Sequence, residues 1–255
     1  MGHVWITIFG IIFTFLMTAL GAAVVFLFKG EISPKINAIF LGFASGVMLA
    51  ASVWSLLLPS LAQAETYFGK LAFLPAAIGF LAGGAFLVLL DKCTAKLCGK
   101  AKNSKPRRLF LAVTLHNIPE GLAVGFAFGA AAMIGTTAAF LSAFGLAIGM
   151  AVQNFPEGAA VSLPMKNVFK DNKKAFLWGV GSGLIEPICA VMGYFLATGL
   201  KTLQPWLLAF SAGTMIFVTA QDLIPDSRIS DDFKAGAWGL MFGFVLMMVL
   251  DVALG

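Results

Sequence analysis

The chain of 255 residues is 60% hydrophobic and only 11% charged, against roughly 45–50% and 25% in an average soluble domain. Its 17 Lys/Arg and 12 Asp/Glu cannot build the polar shell that a soluble fold of this length requires, so DNA-binding, secreted disulfide-rich and disordered classes are excluded. The formal charge of +5 calls for no nucleic-acid partner, because the placement of the positive residues accounts for it. With a mean hydropathy of +0.94, the expectation is an all-α integral membrane protein, a single transmembrane domain over 1–255, held in a lipid bilayer.

Gly2 leads directly into apolar residues with neither a positive n-region nor a cleavage pattern, which predicts a retained first helix. Eight stretches are long and apolar enough to span: 4–28, 36–61, 72–90, 109–131, 136–165, 176–199, 205–226 and 235–254. Of the 17 Lys/Arg, 15 fall in the first, third, fifth and seventh connections, seven of them in the Lys-rich loop 91–108. The positive-inside rule places those connections in the cytoplasm and both termini outside. Three cysteines are an odd number for a disulfide framework; Cys93 and Cys98 form a C-x4-C in the basic loop, a weak metal or redox signal.

Two internal similarities stand out. His116-Asn-Ile-Pro-Glu-Gly-Leu-Ala-Val124 in the fourth span matches Gln153-Asn-Phe-Pro-Glu-Gly-Ala-Ala-Val161 in the fifth at six of nine positions. A weaker match relates Ser45-Gly-Val-Met48 and Leu58-Pro59 in the second span to Ala212-Gly-Thr-Met215 and Ile224-Pro225 in the seventh. The paired spans run in opposite directions, as inverted repeats in transporters do.

Among the carboxylates within apolar spans are Glu120, Glu157, Glu186 and Asp222. Each charge facing lipid near the bilayer centre costs about 2.5–3.5 kcal/mol, so these groups are expected to face one another, water or a cation. His116 and Glu120 share a helical face, as do Gln153 and Glu157, with Asn117 and Asn154 beside them. At 1.5 Å per residue, His116, Glu157 and Glu186 reach similar depths, about 10–15 Å from the cytoplasmic ends. Pro119, Pro156 and Pro187 each adjoin a glutamate and are expected to free carbonyls near Leu115, Val152 and Gly183. One imidazole, amide oxygens and several carboxylates suit a borderline divalent metal such as zinc, ferrous iron or manganese. Cys189, one turn after Glu186, reads as a packing residue, and Gly42/Gly46, Gly79/Gly83, Gly121/Gly125/Gly129, Gly145/Gly149 and Gly239/Gly243 as helix-contact motifs. The 25 Phe and 11 Met read as lipid-facing or core filler.

At these motifs the sequence resembles the ZIP (Zrt/Irt-like) family of divalent metal transporters, in its GufA-like branch. The elements carrying the resemblance are His116-Asn117-x-Pro119-Glu120-Gly121, Gln153-Asn154-x-Pro156-Glu157-Gly158, Glu186-Pro187 and Gln221-Asp222-Leu-Ile-Pro225. The resemblance implies eight helices with both termini outside, a homodimer, and an elevator-like movement of the first, fourth, fifth and sixth helices against the others. It implies one metal position at His116, Glu120, Gln153 and Glu157, and a neighbouring one at Asn117, Asn154 and Glu186 that shares Glu120 and Glu157. Many relatives have His at the position of Gln153, and some have Asp at that of Asn154. Met48 and Ser55 resemble pathway residues, Asp251 an entrance ligand, and Gln221 with Asp222 an inner exit. The His-rich cytoplasmic loop of many relatives has no counterpart here, since 91–108 contains no His.

The expected function is import of a divalent transition metal into the cytoplasm across the plasma membrane, the inner membrane in a bacterium. Zinc leads, with cadmium, iron and manganese as further cargo, up to two ions per site and no cofactor. The absence of a G-x4-G-K-[ST] motif argues against ATP hydrolysis by this chain. Alternatives are a proton-coupled transporter of another small cation, a non-transporting scaffold or receptor, and an intramembrane metallohydrolase. The last is disfavoured because H-N-x-P-E lacks the second His of H-E-x-x-H.

Overall fold

A computed structural model describes residues 2–30, 32–98, 104–197, 201–228 and 233–254. The side chains of Cys93 and Cys98 and most of those in the Lys-rich segment 91–108 are outside what is described, so the C-x4-C reading lies there too. Eight helical segments follow one another: α1 (His3–Leu27), α2 (Pro34–Leu71), α3 (Phe73–Cys98), α4 (Ser104–Ile134), α5 (Thr137–Phe169), α6 (Asn172–Leu196), α7 (Gln204–Asp226) and α8 (Phe233–Leu254). Seven are long and apolar enough to cross a membrane, and the apolar part of α3, Phe73–Leu89, is shorter. No strand occurs among the described residues. The protein is an all-α, multi-pass membrane protein.

Local chemistry sets several boundaries. Ser33 caps α2 through the Ile36 amide, with Pro34 in the first turn; Thr136 caps α5 through Ala139; Asp171 caps α6 through Lys173 and Lys174. The second helix differs from the expected 36–61. Pro59 does not end it, because a π-helical turn over Ser52–Leu57 precedes the proline and resets the hydrogen bonding, so the helix continues to Phe68. In α7 a π-helical turn over Thr219–Leu223 precedes Pro225 in the same way. Each turn begins four residues after the matched methionine, Met48 or Met215. The weaker sequence repeat is thus a repeat of backbone irregularity as well.

The helices pack as two groups of two close pairs. α1 lies on α5 and α4 on α6; α2 lies on α8 and α3 on α7; the groups meet mainly where α2 touches α5 and where α4 touches α7. Helix contact in a membrane relies on small residues, since lipid solvates apolar side chains as well as protein does. A Cβ on Gly125 would stand 2.0 Å from the Ala190 carbonyl oxygen of α6, and one on Gly46 2.0 Å from that of Leu240 in α8. In the Gly145/Gly149 pair only Gly145 departs from the expected helix contact. Nothing lies within 4 Å of a Cβ at Gly145, and one at Gly149 would meet Ser55 Oγ at 3.2 Å and Asp251 Oδ1 at 3.4 Å. Both glycines line a cleft.

Candidate metal centre

Pro119 and Pro156 sit inside α4 and α5, which run through them as single helices. Of these three helices only α6 is interrupted, at Leu184, three residues before Pro187. There the Ser182 carbonyl accepts from Asn117 Nδ2 at 3.0 Å. The disrupted turn therefore supplies an acceptor that fixes a side chain of α4.

His116, Asn117, Glu120, Gln153, Asn154, Glu157 and Glu186 are all buried, none more than 1% exposed. The pairing crosses between helices. His116 Nε2 lies 3.3 Å from Glu157 Oε2; Gln153 Nε2 donates to Glu120 Oε1 at 2.7 Å; Asn154 Nδ2 donates to Glu186 Oε2 at 2.8 Å and to the Thr14 carbonyl at 3.2 Å. One ligand atom each from His116, Glu120 and Glu157 falls within 4.8 Å of the others, a spacing one cation can bridge.

The amide orientations follow from their partners. A carbonyl only accepts, so the NH2 groups of Asn117 and Asn154 face Ser182 and Thr14, and the amide oxygens face away from them. Asn117 Oδ1, Asn154 Oδ1, Gln153 Oε1, Glu120 Oε2, Glu186 Oε1 and both Glu157 carboxylate oxygens have no hydrogen-bond donor among the described residues. An unsatisfied buried acceptor costs about 1–3 kcal/mol, more when charged. Seven such oxygens with one imidazole form a donor set that fits a borderline or hard divalent cation.

The remaining expected residues separate. Ser55 Oγ donates to Asp251 Oδ1 at 2.7 Å, and both line a cleft of about 640 Å³ with Trp54, Gln63, Gly149 and Val152. The cleft lies at the ends of α4 and α5 near Ile134 and Ala139, the side expected outside from the loop charges. Met48 is fully buried in α2. Gln221 is exposed and Asp222 half-buried on the π-helical turn of α7, apart from the His116/Glu120/Glu157 cluster. Cys189 packs at Gly121, where an added Cβ would meet the Cys189 Cβ at 2.9 Å.

Sequence reasoning missed Thr14, Ser182, Met150 and Met215. Thr7, Thr14 and Thr18 recur at helical spacing in α1 and are all buried, a polar stripe that marks the face turned to the centre. Met150 Sδ and Met215 Sδ stand 3.1 and 4.0 Å from Gln153 Nε2; both methionines fill the buried core, as read from the sequence, and also border this polar side chain.

A family match to "ZIP Zinc transporter" covers residues 108–251, the part of the chain that holds nearly all of these groups. "Zinc transporter ZIP11" of Homo sapiens is 36% identical over 341 residues, with 100% of this chain and 99% of the relative covered. The chain belongs to the ZIP family of zinc transporters. Two bacterial ZIP proteins are also similar. "Zinc transporter ZIPB" of Bordetella bronchiseptica is 35% identical over 263 residues, covering 99% of this chain and 82% of the relative. "Zinc transporter GufA" of Myxococcus xanthus is 34% identical over 249 residues, covering 93% and 94%. The GufA-like affinity read from the motifs agrees with these matches, and the family is one of transporters rather than enzymes.

Proposed function

We propose that the protein imports zinc into the cytoplasm, accepts cadmium, ferrous iron and manganese as further cargo, and binds the ion on the buried side chains of α4, α5 and α6. The observation that carries this reading is the convergence of His116, Glu120 and Glu157 within 4.8 Å, surrounded by amide oxygens without donors. His116, Glu120, Gln153 and Glu157 hold one ion. Asn117, Asn154 and Glu186 hold a second, sharing Glu120 and Glu157.

Direction is supported by the cleft and the loop charges together. Asp251, held by Ser55, attracts a cation in the outer cleft; Val152 in the cleft lining is the residue before Gln153. The ion passes to the buried centre and leaves past Gln221 and Asp222 toward the cytoplasm. The two helix groups support alternating access, in which α1, α4, α5 and α6 move as one body against α2, α3, α7 and α8. Such a movement carries all seven centre residues together, because all lie on α4, α5 and α6. The functional unit is a homodimer in the plasma membrane with both termini outside. Metal uptake into proteoliposomes, with zinc, cadmium, iron and manganese in competition, tests the reading: zinc enters, and Glu120→Ala or Glu157→Ala abolishes entry.

A further inference from the structure

The –NH2 group of Gln153 sits among acceptors of two kinds. Glu120 Oε1 is 2.7 Å from it, Met150 Sδ 3.1 Å and Met215 Sδ 4.0 Å. An amide –NH2 is the positive end of its side chain, and groups that gather around it are groups that also suit a cation. Both methionines are fully buried, and they come from the two different helix groups, Met150 from α5 and Met215 from α7. Gly149 and Val152 line the outer cleft, and Met150 and Gln153 follow them directly in the chain.

We infer that Gln153, Glu120, Met150 and Met215 form a second, soft face of the metal centre that binds a thiophilic d10 cation of the Cu(I) class. This inference rests on the proposed metal pathway and adds a substrate class to it. Thioether sulfur is a soft ligand that selects Cu(I), whereas carboxylate, amide and imidazole groups serve the borderline and hard divalent ions. Turning the Gln153 amide over replaces its –NH2 by the carbonyl oxygen, which joins one carboxylate oxygen and two sulfurs as a four-donor set. A soft cation is thus held between the two helix groups, while the harder face of the centre stays with His116 and Glu157. The half-turn of one amide converts a hydrogen-bonded cage into a coordinating one.

Ag(I), a redox-inert ion of the same class, is the probe. The full-length protein is purified in detergent with Cys93 and Cys98 changed to Ser and Cys189 to Ala, so that no thiolate competes. The expected result is one tightly bound Ag(I) per chain, with sulfur scatterers in its X-ray absorption spectrum. Met150→Leu and Met215→Leu, which conserve volume, each weaken Ag(I) by about tenfold or more, the worth of one lost soft ligand, while zinc uptake into proteoliposomes stays within about twofold of the parent. Unchanged Ag(I) affinity in both variants, or a spectrum with only nitrogen and oxygen scatterers, overturns the inference. Parallel loss of zinc uptake and Ag(I) binding in the leucine variants assigns the sulfurs to packing and also overturns it. Zinc uptake absent from the parent, with sulfur-bound Ag(I) retained, strikes the transport reading and leaves the soft site standing.

Discussion

Replacing Asn154 by aspartate isolates the role of an amide within the centre. Its Nδ2 donates to Glu186 Oε2 at 2.8 Å and to the Thr14 carbonyl at 3.2 Å. In Asn154→Asp both donors vanish, and a carboxylate oxygen is turned toward another carboxylate and a carbonyl. Each of the two hydrogen bonds is worth about 0.5–1.5 kcal/mol, so the metal-free variant loses about 1–3 kcal/mol before repulsion is counted. A divalent ion between the introduced carboxylate and that of Glu186 reverses the sign of the repulsion, and the extra negative charge strengthens the second metal position. Thermal unfolding in detergent, followed by the fluorescence of the five tryptophans with and without saturating zinc, measures both terms. The metal-free variant melts below the wild type, and zinc closes at least half of the gap. Equal destabilisation with and without zinc refutes the placement of Asn154 beside a metal; an unaltered metal-free melting temperature refutes its role as a donor.

Four further outcomes follow from the same geometry. Gln153→His tightens zinc binding, because imidazole is a better zinc ligand than an amide oxygen, and slows turnover by retarding release; equilibrium dialysis and initial uptake rates read the two effects separately. Ser55→Ala releases Asp251 from a 2.7 Å hydrogen bond and raises the KM for zinc several-fold with little change in kcat, since the centre itself is untouched. Gly125→Ala places a Cβ 2.0 Å from the Ala190 carbonyl, which forces α4 from α6 and lowers the yield of folded protein, as monodispersity on size-exclusion chromatography reports. Uptake falls as the pH is lowered from about 7.5 to about 5.5, because His and carboxylate ligands bind metal only when deprotonated and protons compete for them; zinc flux at fixed free zinc measures it.

The clustering of the candidate centre was legible in the sequence because its chemistry is costly anywhere else. Glu120, Glu157 and Glu186 in apolar spans demand a shared environment, and the duplicated N-x-P-E-G of α4 and α5 places two of them at one depth. What sequence spacing could not supply was the pairing across helices: His116 with Glu157 and Gln153 with Glu120, where same-helix neighbours were the natural guess. The effect of a proline depends on the backbone around it, so α2 outruns the expected end at 61, and α6 breaks where α4 and α5 do not. Gly145 and Gly149 have the spacing of a packing motif, yet only Gly149 approaches neighbouring helices, and nothing in that spacing tells the two apart. Met150 and Met215 stayed hidden because hydropathy counts a thioether as oil, although its sulfur is also a ligand.

The central claim is that the buried carboxylates of α4 and α5 carry a metal across the membrane. Zinc accumulation in sealed proteoliposomes under an imposed zinc gradient tests it most directly, comparing wild type, Glu157→Ala and protein-free vesicles at equal lipid. The account predicts saturable accumulation by the wild type and only the leak of protein-free vesicles by Glu157→Ala, with both proteins inserted in equal amount. Wild-type uptake by Glu157→Ala, or no uptake above leak by the wild type, contradicts it.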